Sequence, residues 1–300
     1  MNDLKKTPLG ISGLSLSVAS LGILLRPLGE TFHYFCGLLS GIILCFFLLK
    51  VIIDFRKVAE ELKASVPLSL LPTSTMTLML LCTYLYPFFS DIADGLWFVA
   101  VIVHLLIMTL FIKRFIFRPT LQNVYPSWFV VGIGIIIATI SSTTMHTQLL
   151  GQVFFYIGFV VYIVLLPLII YRMIKLRPLP EPIRPTTAIF VAPPSMCLVG
   201  YCTVSATPAL WLVCILLGVI CVSYLFVSVR MVRLLQLRFY PSYAAFTFPY
   251  VIAATAIKTA DGVLEANGID LLAPVVPVTE VIAAAMVLYV LIRYVLHYNA

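Results

Sequence analysis

Charged residues are scarce in this chain. Asp, Glu, Lys and Arg make up only 10% of its 300 residues, whereas 62% are hydrophobic. Several runs reach the roughly 20 apolar residues that a helix needs to cross a bilayer, and a soluble protein of this composition would have too little polar surface to cover its core. The composition therefore predicts an all-α integral membrane protein, surrounded by membrane lipid, in which one domain takes up residues 1–300.

Catalytic motifs are also missing. The sequence contains no His-Glu-x-x-His, no Gly-x-Ser-x-Gly and no phosphate-binding glycine loop, the patterns that mark common hydrolytic and nucleotide-binding sites. Its seven cysteines form no Cys-x-x-Cys pair and lie in apolar runs, where cysteine packs as a small hydrophobic residue. We therefore expect no enzyme, no catalytic residue, no metal site and no cofactor.

Apolar segments follow one another along the whole chain, separated by short connections that carry most of the charge. Ten of them are long enough to count as spans, an even number that places both termini on the same side of the membrane. The predicted spans are residues 8–25, 33–53, 71–89, 96–115, 128–144, 150–171, 188–205, 209–229, 243–260 and 271–297.

Lys and Arg collect in the cytoplasmic connections of membrane proteins, so they test this count. With the N-terminus inside, only Arg26 and Lys258 fall on the external side. The cytoplasmic set is Lys5, Lys6, Lys50, Arg56, Lys57, Lys63, Lys113, Arg114, Arg118, Arg172, Lys175, Arg177, Arg184, Arg230, Arg233, Arg238 and Arg293. This alternation predicts a multi-pass protein of the bacterial inner membrane with cytoplasmic termini, and it explains the net charge of +7 without nucleic acid as a partner.

Two kinds of span alternate. Odd spans are rich in small and hydroxyl residues, and each follows a proline that usually has Ser or Thr close behind; even spans are rich in Leu, Ile, Val and Phe. Small residues allow close helix approach and bulky aliphatic ones match lipid tails, so we expect five helical hairpins whose odd helices form an inner ring around a central pore. Tight helix packing alone is the alternative explanation. The five prolines are Pro8, Pro72, Pro126, Pro185 and Pro241.

Prolines and helix ends predict two properties of the expected pore, namely water in its cavity and positive charge at its entrances. Pro193, Pro194 and Pro249 lie within odd spans, where each should kink its helix and free carbonyls for water in a cavity. The N-terminal ends of the odd helices, which carry positive partial charge, converge on the cytoplasmic mouth, and Arg26 and Lys258 lie at the outer one. Anions should be favoured at both entrances, although interface snorkelling and the positive-inside rule explain the same charges without an anion.

Ionisable groups at membrane depth are few. No Asp or Glu lies inside an odd span away from its ends, whereas ion-coupled transporters usually carry such residues. Passive conduction or uniport is therefore favoured. His104 and Glu280, both in even spans, are the candidates for proton coupling, and a polar contact between helices or an interface position is the alternative explanation for each.

Several motifs resemble the tellurite-resistance/dicarboxylate transporter family, which includes bacterial TehA-like proteins, the yeast malate permease and the plant guard-cell slow anion channels. The resemblance covers the whole chain, and its more specific parts are the Ala-Pro-Pro run 192–194 and the Phe-Thr-Phe-Pro run 246–249. It implies a ten-helix fold with quasi-five-fold symmetry and a homotrimer with one pore per subunit. It also implies passage of small anions, such as chloride, nitrate or malate-like dicarboxylates.

The resemblance further implies that a phenylalanine of the ninth span plugs the pore. Phe246 and Phe248 lie about 200° apart around an α-helix, so only one of them can face the lumen. The helix face that carries Phe248 consists largely of small and hydroxyl-bearing residues, which favours Phe248 as the gate. The alternative is that Phe248 simply packs between helices. That face carries Pro241, Ala244, Ala245, Ile252, Thr255 and Thr259.

Two functions follow from these residues. The first is a passive anion channel or uniporter gated by Phe248, and the second is a proton-coupled dicarboxylate carrier that uses Glu280 or His104. A membrane-embedded enzyme or sensor is a third candidate function, but no group of residues in the sequence resembles a catalytic centre. The tellurite label of the bacterial relatives does not show that tellurite is carried.

Overall fold

The computed structural model describes residues 8–117, 120–176 and 178–298. Within these ranges the chain is helical and contains no β-strand. Four of the basic residues assigned above to the cytoplasmic side, Lys5, Lys6, Arg118 and Arg177, lie outside the described residues. Seven described helices are long and apolar enough to cross a membrane: Glu30–Ile53, Ser65–Leu85, Ser90–Ile116, Gln148–Lys175, Glu181–Val204, Leu210–Leu234 and Val275–Tyr298.

Five of these helices fall in the even spans and lie on the outside of the molecule. We call them the first to fifth outer helices: Glu30–Ile53, Ser90–Ile116, Gln148–Lys175, Leu210–Leu234 and Val275–Tyr298. Between 22% and 39% of their most apolar windows is buried. Their exposed residues are long aliphatic and aromatic side chains, such as Ile52, Val222 and Leu296, which suits contact with lipid tails.

The odd spans correspond to shorter, more buried helices, here called the first to fifth inner segments. The first is one helix, and each of the others has a break or changes helix type within it. The five are Ile11–Leu24; Ser65–Leu70 with Thr73–Leu85; Trp128–Ile133 with Ile136–Ser141; the 3₁₀-helix Glu181–Val191 with Ala192–Val204; and the 3₁₀-helix Pro241–Phe246 with Phe248–Ala266.

The inner segments contact one another in chain order, and the fifth returns to contact the first. Each outer helix contacts the inner segment before it and the one after it, and the fifth outer helix contacts the first inner segment. This pattern agrees with the predicted hairpins. The arrangement of ten spans with quasi-five-fold symmetry stays a prediction. One further helix, Phe55–Glu61, lies between the first outer helix and the second inner segment and was not predicted.

Hydroxyl groups beside the repeated prolines join neighbouring inner segments. Thr73 hydrogen-bonds Ser12 of the first segment at 2.7 Å, Ser127 accepts from Ser69 of the second at 2.7 Å, and Ser242 donates to the Pro182 carbonyl of the fourth. Buried hydroxyls need such partners. The Ser or Thr that follows three of the repeated prolines therefore ties its segment to the one before it.

The first and fifth inner segments also come close together. A Cβ atom on Gly10 would lie 2.6 Å from the Pro241 carbonyl oxygen, so only glycine fits at this approach. Farther along, the fully buried hydroxyls of Ser17 and Thr247 are hydrogen-bonded to each other. These two contacts join the fifth inner segment to the first.

The prolines that were expected to kink the odd spans lie where the helix type changes. Pro193 and Pro194 lie in the first turn of Ala192–Val204, and Pro249 lies in the first turn of Phe248–Ala266. The first turn of a helix tolerates proline, because its fixed φ suits the start of a helix. In both segments a 3₁₀-helix precedes the α-helix, so the prolines mark a change of helix type, and the kinks themselves stay a prediction.

Candidate functional site

A cavity lies where the inner segments meet, with a volume of about 60 Å³ that water-sized molecules could occupy. All five inner segments, or the residues that lead into them, contribute to its wall, and no residue of an outer helix does. The lining residues are Gly10, Gly13, Leu16, Leu70, Thr73, Met76, Phe129, Val130, Ile133, Ile189, Ala192, Pro193, Met196, Pro241, Ser242, Ala244, Ala245, Phe248 and Pro249.

The wall of this cavity offers little to a charged solute. Its only hydroxyl groups belong to Thr73 and Ser242, and both already hydrogen-bond backbone carbonyls, Thr73 that of Leu70 at 2.8 Å and Ser242 that of Pro182. Among the described residues, no charged side chain lines it. An ion that enters must therefore give up hydration without gaining a charged partner.

Each inner segment places at least one bulky apolar side chain in the wall of the cavity. The last such residue of each segment, counted from its N-terminal end, is buried; the five are Leu16, Met76, Ile133, Met196 and Phe248. We refer to these five residues as the apolar ring. Phe248 is the aromatic residue among them, and Phe129 is a further aromatic residue in the cavity wall.

Sequence reasoning missed four members of the apolar ring, although a signal was present. Each ring residue directly follows a small or hydroxyl residue: Ser15, Thr75, Gly132, Ser195 or Thr247. Small neighbours let a segment pack closely while one large side chain points elsewhere. Other bulky residues of the odd spans, such as Leu14 and Ile140, also follow small residues, so the pattern marks candidates without singling out the ring.

Phe248 and Phe246 occupy different surroundings. Phe248 lines the cavity, whereas Phe246 is fully buried, does not line it, and packs with its ring centre 4.8 Å from that of Tyr243. The assumption of a continuous α-helix behind the 200° estimate was wrong, because Pro241–Phe246 is a 3₁₀-helix and the α-helix begins at Phe248. The geometry nevertheless favours Phe248 over Phe246 for a role in the lumen.

The other predicted pore-lining residues divide into two groups. Pro193, Pro249, Ala244 and Ala245 line the cavity. Pro194, Ile252, Thr255 and Thr259 do not line it. Thr255 and Thr259, which lie beyond the ring toward the C-terminal end of the fifth segment, are half-buried and donate to carbonyls of their own helix, at 3.0 and 2.8 Å.

A wider cavity of about 370 Å³ adjoins the first one at the N-terminal ends of the inner segments. The two share Gly10, Leu70, Pro241 and Ser242, so they are adjacent. The wider cavity also contains charged side chains, namely Lys50, Lys57 and Glu61. Lys50 is 2% exposed and donates to Asp54 at 2.7 Å. A vestibule with charges of both signs therefore adjoins the apolar cavity.

Both basic residues expected at the outer mouth are paired with carboxylates. Lys258 donates to Glu280 at 2.7 Å and to the Leu24 carbonyl at 3.4 Å. Arg26 donates to Glu30 at 2.8 Å, and both of those side chains are more than half exposed. Their charges are thus largely compensated, which weakens the expected attraction of anions at this end.

His104 is fully buried in the second outer helix behind the apolar ring. Its Nδ1 lies 2.8 Å from the Thr75 hydroxyl, which itself donates to the Pro72 carbonyl. Since that hydroxyl proton is used, Nδ1 must donate to Thr75. Nε2 has no partner among the described residues. The predicted polar contact between helices is present.

Comparison with known families decides the class of the protein. A family model described as voltage-dependent anion channel (SLAC1) matches residues 6–295, which is almost the whole chain. The chain belongs to this family. No curated protein matches it.

Membership of the anion channel family confirms the resemblance read from the sequence. It makes the chain a multi-pass membrane protein of a family that transports anions and is not enzymatic. The cavity, the apolar ring and the vestibule are therefore features of an anion channel family member.

Proposed function

We propose that this protein is a passive anion channel or uniporter in which ions move between the inner segments and Phe248 is the gate. The observation that carries the proposal is the apolar ring: each of the five inner segments contributes a bulky apolar residue to the wall of one cavity, and Phe248 is the aromatic member of the ring. Chloride, nitrate and malate-like dicarboxylates are the candidate substrates.

The contact pattern supports ten spans with quasi-five-fold symmetry as the frame of this pore. Inner segments contact in a closed cycle, and each outer helix lies against two of them. The distribution of Lys and Arg supports cytoplasmic termini in a bacterial inner membrane. A homotrimer with one pore per subunit is proposed from the resemblance to the family alone.

The proposed gate acts by excluding water. A narrow apolar constriction is poorly wetted, and an anion cannot shed its hydration there at low cost. Phe248 lines a cavity whose hydroxyl groups are already engaged. Opening requires the ring to rotate or the start of Phe248–Ala266 to shift, and the change of helix type at Thr247 is where such a shift would occur.

The vestibule supports the choice of anions over cations through the helix ends beside it. Lys50 and Lys57 line the vestibule, but Glu61 and Asp54, the partner of Lys50, balance their two charges. The N-terminal ends of the inner segments add positive partial charge. The vestibule would thus favour anions before the apolar cavity, whereas the ring sets the barrier to passage.

Phe248→Ala tests the gate. We expect anion current in planar bilayers to rise by at least about tenfold, which corresponds to a barrier lowered by about 1.4 kcal/mol. Chloride, nitrate and malate are tested in turn, and the current should reverse at the anion potential and ignore a pH gradient. Phe248→Leu should give a smaller rise, because it retains part of the bulk.

The matched control is Phe246→Leu, two residues away and outside the cavity. It should leave the current at the wild-type level. No rise in Phe248→Ala, with normal yield and a monodisperse purified protein, would remove Phe248 from the gate. An equal rise in both leucine variants would show that loosening of the fifth segment, and not the gate, admits the ions.

A proton-coupled dicarboxylate carrier is the second candidate, favoured by one observation: His104 Nε2 is buried without a partner beside the apolar ring. On this reading malate uptake into proteoliposomes requires a pH gradient and fails in His104→Asn or Glu280→Gln. Glu280 is held by Lys258, so its neutral variant should also disturb that pair. Uptake that is driven by voltage alone in both variants contradicts the carrier.

A further inference from the structure

A groove of about 530 Å³ lies between the third and fourth outer helices, beside the fourth inner segment. It is separate from the pore cavity, with which it shares no lining residue. Its wall is mostly aliphatic and aromatic. The lining residues are Tyr162, Leu166, Ile170, Met173, Ile174, Leu176, Pro178, Leu179, Arg184, Thr187, Phe190, Val219, Val222, Ser223, Phe226, Arg230 and Leu234.

The groove has the length of one lipid leaflet. Its residues on the third outer helix run from Tyr162 to Ile174, and those on the fourth run from Val219 to Leu234, with a spacing of three or four residues along most of each row. At 1.5 Å per residue each row covers about 20 Å, compared with about 15 Å for half of a hydrocarbon core. Ile174 and Val222 are 61% and 72% exposed, so the groove is open to lipid from the side.

Among the described residues that line the groove, only Arg184 and Arg230 are charged. Arg184 Nε donates to the Leu179 carbonyl at 3.1 Å, and the Arg230 guanidinium lies 5.2 Å from the centre of the Phe226 ring. No carboxylate lines the groove, and neither arginine forms an ion pair within the part of the chain that the structure describes. Two cationic groups thus stand beside an apolar wall.

Neighbouring charged groups do not neutralise these arginines. Glu181 accepts a hydrogen bond from Tyr240 at 2.8 Å and lies 3.9 Å from Arg238, on the side of the fifth segment. Arg172 lies on the third outer helix but does not line the groove, and its guanidinium stacks over Tyr125. The groove therefore keeps a net charge of about +2 from its two guanidinium groups.

We propose that this groove binds a glycerophospholipid of net negative charge, with an acyl chain along the apolar wall and the phosphate between Arg184 and Arg230. Guanidinium groups match phosphate oxygens through paired hydrogen bonds, and basic pockets between transmembrane helices are suited to anionic headgroups. A neutral lipid would fill the wall but leave both arginines without an anion. The site is independent of the gate.

Native mass spectrometry of the delipidated full-length protein tests the site. The probes are palmitoyl-oleoyl phosphatidylglycerol and the phosphatidylcholine with the same chains. Each basic residue near a headgroup is worth roughly fivefold in affinity, so the wild type should retain the anionic lipid about 25-fold better than the neutral one. Arg184→Gln/Arg230→Gln should abolish this preference while keeping the thermal unfolding midpoint.

The matched control is Arg233→Gln, which removes an exposed charge from the same outer helix but outside the groove. It should keep the full preference. Ser223→Trp, which fills the groove, should reduce retention of both lipids. Equal retention of the two lipids by the wild type, or an unchanged preference in the double variant, overturns the proposal, and so does a cross-link that places a second copy of the chain over Val222.

Discussion

The inner segments and the outer helices of this protein differ in how deeply they are buried and in how regular their backbone is. In the second and fourth inner segments 56% and 72% of the most apolar window is buried, compared with 22% to 39% in the five outer helices. Four of the five outer helices are α-helical throughout and the second changes to a π-helix at Ile112–Ile116, whereas four of the five inner segments are interrupted or change to a 3₁₀-helix.

The difference follows from where each backbone lies. A helix that faces lipid must satisfy its backbone hydrogen bonds internally, because lipid tails offer no partner. An inner segment is surrounded by other helices, and hydroxyls such as Thr73, Ser127 and Thr247 supply extra hydrogen bonds beside its breaks. Irregular backbone, small side chains and a cavity can therefore occur together only on the inside.

The largest effect is expected from replacing a glycine of an outer helix by leucine. Two such glycines, on different outer helices, are compared. A Cβ atom on Gly158 would lie 2.4 Å from Ile136 of the third inner segment, whereas one on Gly218 would meet nothing within 4 Å. We expect Gly158→Leu to lower the free energy of unfolding by about 1–3 kcal/mol through overpacking. Gly218→Leu should be neutral or slightly stabilising, since glycine is a poor helix former.

Thermal unfolding of both glycine variants in the same detergent measures this effect. The two outer helices share composition and lipid exposure, so the pair isolates contact with the inner segments. Equal midpoints would mean that the third outer helix is not held against Ile136 as described.

A smaller effect is expected where the first and fifth inner segments join. Thr247→Val keeps the side chain's shape but removes the hydroxyl that bonds Ser17 and donates to the Ala244 carbonyl at 2.7 Å. We expect a loss of about 1 kcal/mol in the free energy of unfolding. Thr109→Val is the control, because that exposed hydroxyl bonds only its own outer helix and its loss should be negligible. A loss of the same size in both variants would argue against a special inner junction.

The smallest effect concerns the prolines of the fourth inner segment. Pro193 occupies the first turn of Ala192–Val204, so Pro193→Ala should change the free energy of unfolding by less than about 1 kcal/mol. Chemical or thermal unfolding of the purified protein measures the difference. A change near the 3 kcal/mol typical of a proline within a helix would show that the original expectation of a kink was the better one.

Much of the fold could be predicted because lipid imposes simple demands on the residues that face it. The apolar runs of the five outer helices match their predicted positions within a few residues at most ends. The family could also be identified, since Ala-Pro-Pro at 192–194 and Phe-Thr-Phe-Pro at 246–249 are specific. The inner segments were harder: the fourth begins at Glu181, well before the predicted residue 188.

The candidate site could be predicted only in part. Five predicted pore residues line the cavity: Phe248, Ala244, Ala245, Pro193 and Pro249. They could be predicted because proline and small residues mark the inner segments in the sequence. The ring partners of Phe248 were missed, since Leu and Met are equally common in outer helices. The compensation of the charges on Lys258 and Arg26 was missed as well, because an ion pair depends on which connections come together in space.

By itself, the sequence determined that this is a helical membrane protein of the anion channel family. It also determined which of the segments are rich in small residues. Composition and spacing carry that information, because solvation by lipid acts on each segment separately. Only the tertiary structure decided that Leu16, Met76, Ile133, Met196 and Phe248 meet in one ring and that Arg184 and Arg230 share one groove. Those juxtapositions arise from packing between segments far apart in the chain, which no local pattern records.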